Sequence, residues 1–276
     1  MKILVTGATG KVGSRLVGRL LESGEQVRVL VRDEERARAM LGDHVERVQG
    51  DLLAPDSLVQ AVEGMDAVVH CAAYFRGATS EQAHATNDMG TRHLAEASKK
   101  ASVGRFVFAS TGLVYGPKGG ALANEDDSCD PPDAYPLSKL AAERMLLSMD
   151  GLDVRILRFP FVYGAGDPHI QEVVPLMRGF PPGMKMSLGH HDDIAQAVIR
   201  LLHAKAPKHR IYNVVDDEAP DIAELFAAVG ELPPDGSRAE RAAAFSTRMD
   251  GRRIREDLGF TPIFPRFQDA VEADAL

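Results

Sequence analysis

A chain of 276 residues with 45% hydrophobic and 26% charged residues can bury a sizeable core, enough for one nucleotide-binding domain plus a smaller lobe. Its net charge of −8 lacks the positive field that nucleic acid or an anionic membrane demands, so the expected partner is a small soluble molecule. Cys71 and Cys129 have no C-x-x-C spacing, the first strand begins at residue 2, and no apolar run approaches the roughly 18 residues of a membrane span; these features point to a cytoplasmic protein without disulfides, signal peptide or membrane anchor.

The chain opens on MKILVTGATGKVG. Ile3, Leu4 and Val5 predict a strand that runs into glycines at 7, 10 and 13, and Val12, Leu16, Val17, Leu20 and Leu21 predict a helix directly after it. This order makes a dinucleotide site. Gly7 permits a tight turn, Gly10 lets the backbone approach a pyrophosphate, Gly13 lets helix and strand pack closely, and the helix N-terminus faces the anion. Thr9, Lys11 and Val12 belong to the same cradle.

Strands are then predicted at 26–31, 44–49, 66–70 and 105–109, alternating with a charged turn and short helix over 32–39 and helices at 55–62 and 80–100. The strands are β-branched and almost continuously apolar, as parallel strands covered on both faces are. The fold class is therefore α/β, a doubly wound parallel sheet. The eighteen-residue segment 116–133 is rich in Gly, Asp and Pro, a composition that goes with function or mobility. A helix at 134–149 and a strand at 153–157 follow. Beyond Gly164 the pattern weakens to a helix at 170–177, a Pro-rich turn at 180–183, a strand at 185–188, a helix at 192–202 and a strand at 210–215. Two domains are expected, a nucleotide-binding domain over 1–160 and a small α/β substrate lobe over 161–276, with 210–215 adding to the sheet.

Tyr135 and Lys139 stand four apart in Y-P-L-S-K, on one face of a predicted helix. A tyrosine hydroxyl of pKa about 10 is a poor acid or base at neutral pH unless a fixed cation stabilises its phenolate. Lys139, one turn on, offers that cation and a donor to the ribose hydroxyls of a nicotinamide. The end of the fifth strand, F-A-S-T-G-L-V-Y-G over 108–116, offers a hydroxyl to hold a substrate oxygen.

These motifs resemble the extended branch of the short-chain dehydrogenase/reductase superfamily, the epimerase/dehydratase-like proteins with an NAD(P)-binding Rossmann sheet. The first match is TGxxGxxG from Thr6 to Gly13. The resemblance makes Thr111, four residues before the Tyr of V-Y-G, the catalytic hydroxyl, with Ser110 the neighbouring candidate and a cofactor contact, and it pairs Tyr135 with Lys139. It implies that Asp51 and Leu52 contact the adenine, that Cys71, Ala72 and Ala73 in H-C-A-A let the backbone touch the cofactor, and that Asn87 lies near the nicotinamide ribose as part of the catalytic set. R-F-P-F-V-Y-G over 158–164 resembles R-x-x-N-x-x-G and places Pro160 and Val162 over the nicotinamide. H-D-D-I-A over 191–195 resembles the V-D-D-V-A helix start, and 258–262 the family's L-G-F-x-P. Relatives often form homodimers through the helices starting here at Ser80 and Ala134.

NAD-preferring members carry a carboxylate at the end of the second strand. Here Val31 stands there, and Arg32 and Arg36 could hold a 2′-phosphate, which favours NADP. Asp33 keeps NAD open as the second choice. His190, His191, Asp192 and Asp193 are read as a helix start, with Asp192 or Asp193 capping it, rather than as a metal site. Phe161 replaces the Asn of R-x-x-N, and the 26 residues between Gly164 and His191 carry only Arg178 and Lys185 as cations, which argues against a sugar nucleotide. The expected pocket is apolar, lined by Tyr74, Phe75, Leu113, Phe161, Met177, Phe180, Met184 and Met186. The reading is an NADPH-dependent reductase of a C=X bond with Tyr135 as proton donor. A sugar-nucleotide epimerase or dehydratase, and an NADP-sensing regulator without catalysis, are the alternatives.

Overall fold

The computed structural model describes residues 1–75, 79–242 and 245–276. The first half alternates as the sequence predicts: β1 (Lys2–Thr6), α1 (Lys11–Glu22), β2 (Gln26–Val31), α2 (Glu34–Leu41), β3 (Glu46–Gln49), α3 (Pro55–Val62) and β4 (Ala67–His70). All of β4 and all of β1 except Lys2 are buried, which is why these strands read as continuous apolar runs. α1 buries Gly13, Leu16, Val17 and Leu20, one stripe at helical spacing.

The predicted helix over 80–100 consists of three pieces: α4 (Ser80–Ala83), a π-helical turn over His84–Met89, and α5 (Gly90–Lys100). Thr79 and Gln82 open it with a capping box. There follow β5 (Arg105–Thr111), β6 (Leu122–Ala123), α6 (Ala134–Leu147), β7 (Val154–Phe159), β8 (Phe161–Tyr163), α7 (His169–Val173), β9 (Leu188–His190), α8 (His191–His203), β10 (Ile211–Asn213), α9 (Ile222–Ala228), α10 (Ala239–Ala242), β11 (Arg248–Met249), α11 (Arg252–Leu258) and α12 (Phe267–Glu272). The main sheet has seven strands in the order β10-β7-β5-β4-β1-β2-β3. Its order reverses between β1 and β4, the switch point at which open α/β sheets bind ligands.

The chain divides into two compact units that interleave along the sequence. The first comprises Met1–Ser110, Asp133–Leu157 and Val198–Ile211, the second Thr111–Pro132, Arg158–Ala197 and Tyr212–Leu276. In the first, Leu4, Val68, Phe106 and Ile156 of the sheet pack with Leu58, Leu94, Ala142 and Leu146 of α3, α5 and α6. Arg105 donates to the carbonyls of Leu201, Leu202 and Ala204, and Arg155 to those of Pro207 and His209, so the late segment 198–211 is stitched to the first unit.

The second unit has its own apolar cluster, built on Tyr163, Ile170, Leu188, Phe226 and Phe267. β8 and β9 pair in parallel there, as do β6 and β11. Within the segment 116–133 lies β6, and buried Glu125 accepts the Asn213 N–H at 2.8 Å. The strand expected at 185–188 starts instead at Leu188, and Lys185 forms only an isolated antiparallel bridge to Asp221. Among the described residues no helix is long and apolar enough to cross a membrane.

Candidate active site

The glycine turn has no room for side chains. Gly7 sits at φ +70°, and a Cβ there would lie 2.6 Å from the Ala72 nitrogen; a Cβ on Gly13 would lie 2.1 Å from the Gly7 oxygen. Gly10, whose N–H donates to the Gly7 carbonyl at 2.9 Å, is the N-cap of α1 and offers no side-chain acceptor, and the first turn carries no acid. The leading N–H groups of α1, from Lys11 onward, are thus presented beside a bare backbone turn, which fits the pyrophosphate of a dinucleotide. Thr9 and Val12 are half-buried at this turn.

Val31 ends β2 in the core. Arg32 and Arg36 are exposed, and among the described residues their side chains bond to nothing. Asp33 Oδ1 caps α2, accepting the Arg36 N–H at 3.0 Å. Asp51 Oδ1 accepts the Leu53 N–H at 2.8 Å, while Leu52 is buried in the first unit's core.

On α6, Lys139 is only 1% exposed, with Nζ 3.8 Å from the centre of the Phe108 ring. Burial pushes its ammonium down to about 7, with the charges of Cys71 and Glu143 acting in the opposite sense. Burial also pushes the Cys71 thiol up to about 12, against the pull of Lys139. Buried Glu143, one turn beyond Lys139, accepts the Ser110 hydroxyl at 2.5 Å. Ser110 is thereby committed to the interior. Thr111 Oγ1 accepts the Leu113 N–H at 3.2 Å and keeps its own proton to donate.

The Tyr135 ring meets Phe75 edge-on, centroids 4.6 Å apart. Burial pushes its phenol above the ordinary range. In this environment the phenol holds its proton at neutral pH, and Lys139 lies one turn further along the same helix. Asn87 is buried and engaged on both sides of its amide. Its Nδ2 donates to the Tyr74 carbonyl at 2.9 Å and to Ser138 Oγ at 3.0 Å, and its Oδ1 accepts the Tyr74 N–H at 2.7 Å. A buried amide so fully engaged positions its neighbours.

Ser110, Tyr135, Lys139, Asn87, Cys71, Ala72, Ala73, Tyr74, Phe75 and the glycine cradle belong to the first unit; Thr111, Leu113, Pro160, Phe161 and Val162 belong to the second. Within the second unit, Phe161 stacks on His169 at 4.2 Å and 16°, and His169 Nδ1–H donates to the Val162 carbonyl at 2.9 Å. Met177, Phe180 and Met186, expected in a pocket wall, are buried in that unit's core, with Met184 packed against it. Their apolar character serves packing. The helix-cap expectation at 192–193 is likewise revised: α8 already begins at His191, and Asp193 accepts the N–H groups of Ile263 and Phe264. His190 Nε2–H donates to the Ala275 carbonyl, and His191 pairs with Asp167 at 2.9 Å, both side chains buried.

The family model described as the NAD dependent epimerase/dehydratase family matches residues 3–214. The chain belongs to that family. Members of this short-chain dehydrogenase/reductase type are NAD(P)-dependent enzymes, and this chain is one of them. Sterol demethylase protein B of Methylococcus capsulatus is 34% identical over 96% of this chain and 84% of its own length. A 3-diazoavenalumate denitrifying reductase of a Streptomyces species is 27% identical, covering 98% of this chain and 99% of its own. The UDP-glucose 4-epimerase of Thermus thermophilus, in complex with NAD, superposes with a TM-score of 0.82 at 26% identity, over 98% of this chain and 96% of that one.

In this epimerase/dehydratase-family chain the motif residues are held by a buried polar set whose bonding the motifs do not specify. Thr6, His70, Thr91 and Ser138 are buried and bonded to one another or to motif residues, and Glu143 holds Ser110. The available signal was a histidine closing the otherwise apolar strand A-V-V-H, because a buried polar group requires partners. The i, i+4 spacings Asn87/Thr91 and Lys139/Glu143 were a second signal.

Proposed function

We propose that this enzyme uses NADPH to reduce a ketone, aldehyde or related C=X bond of a small, apolar, ring-bearing substrate. The observation that carries this reading is the Phe161–His169 stack at the position where R-x-x-N would put an amide. A phenyl ring cannot donate to a diphosphate. The two cations of the 165–190 segment are engaged elsewhere, Arg178 with Glu231 at 2.7 Å and Lys185 with Asp221 at 3.7 Å. The end-to-end match to a relative named as a reductase supports the same direction.

The cradle fits a dinucleotide, and its nicotinamide, when bound, supplies the hydride. Tyr135 is the proton donor to the substrate oxygen, a role that suits a phenol kept protonated by burial. Lys139 supplies the buried positive charge, and Thr111, by its place in the motif, a further hydroxyl donor. For the cofactor, Arg32 and Arg36 leave their guanidinium groups open to a 2′-phosphate, while Asp33 is occupied with its helix. A second reading, sugar-nucleotide epimerisation with NAD, is favoured by the likeness to the UDP-glucose 4-epimerase.

The test is a panel of aryl ketones, aldehydes and cyclic imines with NADPH and NADH, beside titration with UDP- and dTDP-sugars. NADPH oxidation with at least one carbonyl or imine, and no saturable sugar-nucleotide binding, is expected. Micromolar UDP-sugar binding would favour the epimerase. Arg32→Ala should weaken NADPH about 10- to 100-fold and leave NADH unchanged, the value of one charge-assisted hydrogen bond. An Arg32→Ala variant that still prefers NADPH contradicts the cofactor assignment.

A further inference from the structure

The buried polar groups of the first unit form one hydrogen-bonded line whose proton positions follow from its partners. Thr91 Oγ1 lies 2.7 Å from the Asn87 carbonyl, which can only accept, so the single hydroxyl proton of Thr91 points there. His70 Nε2, 2.8 Å from Thr91 Oγ1, must then be a donor. Burial, aided by the Lys139 charge, keeps the imidazole neutral, so its Nδ1 is bare. At 2.6 Å, Thr6 Oγ1 donates to that Nδ1, and its lone pair accepts the Ala72 N–H at 3.2 Å. Every proton in the line runs the same way, from Ala72 to Asn87.

Beyond Asn87 the connection continues through side chains. Asn87 Nδ2 donates to Ser138 Oγ at 3.0 Å, and the Ser138 hydroxyl donates to the Tyr135 carbonyl at 2.7 Å. Asn87 sits in the π turn, where Gly90 N–H reaches back five residues to the Ala85 carbonyl, a feature common at functional sites. One end of the line is thus the backbone packed against Gly7, and the other is the first turn of α6.

We propose that His70, fixed as the Nε2–H tautomer, is a positioning residue that couples dinucleotide occupancy of the glycine cradle to the placement of Tyr135 through Thr91, Asn87 and Ser138. The coupling rests on the dinucleotide site and not on the choice of NADPH or of substrate. A dinucleotide that orders the backbone beside Gly7 fixes the Ala72 N–H, and the line carries that order to the π turn and α6.

Hydrogen exchange with and without saturating NADPH, and again with NADH, tests this. In the wild type, whichever cofactor binds should protect 84–91 and 134–139 as well as the cradle. Thr91→Val keeps the shape and removes the hydroxyl; it should cut the protection gained at 84–91 and 134–139 about five- to tenfold, the effect of one buried hydrogen bond, with protection at the cradle retained. Thr91→Ser should restore it. In parallel, nitrogen NMR of His70 in the wild type without cofactor should find Nε2 protonated and Nδ1 bare. A proton on Nδ1, or a folded Thr91→Val protein whose remote protection matches the wild type, overturns the proposal. If Thr91→Val fails to fold, the tautomer measurement and Thr91→Ser still decide. A preference for NADH would refute the cofactor assignment and leave the coupling standing.

Discussion

At the residue scale the controlling fact is a buried lysine. Lys139 binds its proton more weakly in the folded chain, down to about 7, than an unfolded lysine does at about 10.4. Between those values the unfolded chain holds more protons, so this residue's contribution makes stability rise with pH across that window, and burial of the ammonium opposes folding most below it. For activity, the proposed use of Lys139 as an ammonium predicts the opposite trend. A reaction that needs the ammonium loses rate as pH rises through about 7. Glu143, whose charge holds Lys139 up, tunes that fall: in Glu143→Gln the descending limb of kcat/KM should move to lower pH, read at saturating NADPH. An unmoved limb in the folded variant would show that Glu143 acts only as the acceptor for Ser110. Motif spacing located Tyr135, Lys139 and Ser110 but could not say which groups are desolvated, and desolvation sets the direction of each pKa shift.

At the element scale, the strand, glycine turn and helix at the N-terminus were legible because each step depends on neighbours in sequence. The packing also gives them a measurable cost of change. A Cβ on Gly13 would sit 2.1 Å from the Gly7 oxygen and 2.7 Å from its carbonyl carbon, backbone atoms that a side-chain rotation cannot move. Gly13→Ala should therefore destabilise the protein by about 1–3 kcal/mol, as overpacking does, and abolish cofactor binding by displacing α1 from the turn. A shifted urea midpoint at constant slope, with lost cofactor affinity, is the expected outcome; wild-type stability would refute the close packing. The π turn was not legible. Residues 80–100 carry helical periodicity throughout, and one extra residue in a turn changes which face Asn87 occupies without changing composition.

At the scale of the whole molecule, the division near residue 160 expected from the weakening pattern is crossed in both directions. Thr111–Pro132 belongs to the second unit, and Val198–Ile211 returns to the first. A fragment of residues 1–160 would lose β10 from the sheet edge and leave Arg105 and Arg155 without the carbonyls of Leu201, Leu202, Ala204, Pro207 and His209. It should not fold cooperatively; circular dichroism and urea titration check this, and a two-state fragment of native-like spectrum would contradict it. The sequence by itself determined the sheet's alternation, the dinucleotide turn, the family and the order of the motif residues, because periodicity, glycine placement and fixed spacings are local properties of the chain. Only the tertiary structure decided which polar groups are buried and what they bond. Thr6 and His70, 64 positions apart, are brought to one line with Asn87; Met177 and Phe180 are drawn into a core, and Asp33 is turned to its own helix. Those outcomes depend on burial and on partners distant in the chain, which no local pattern encodes.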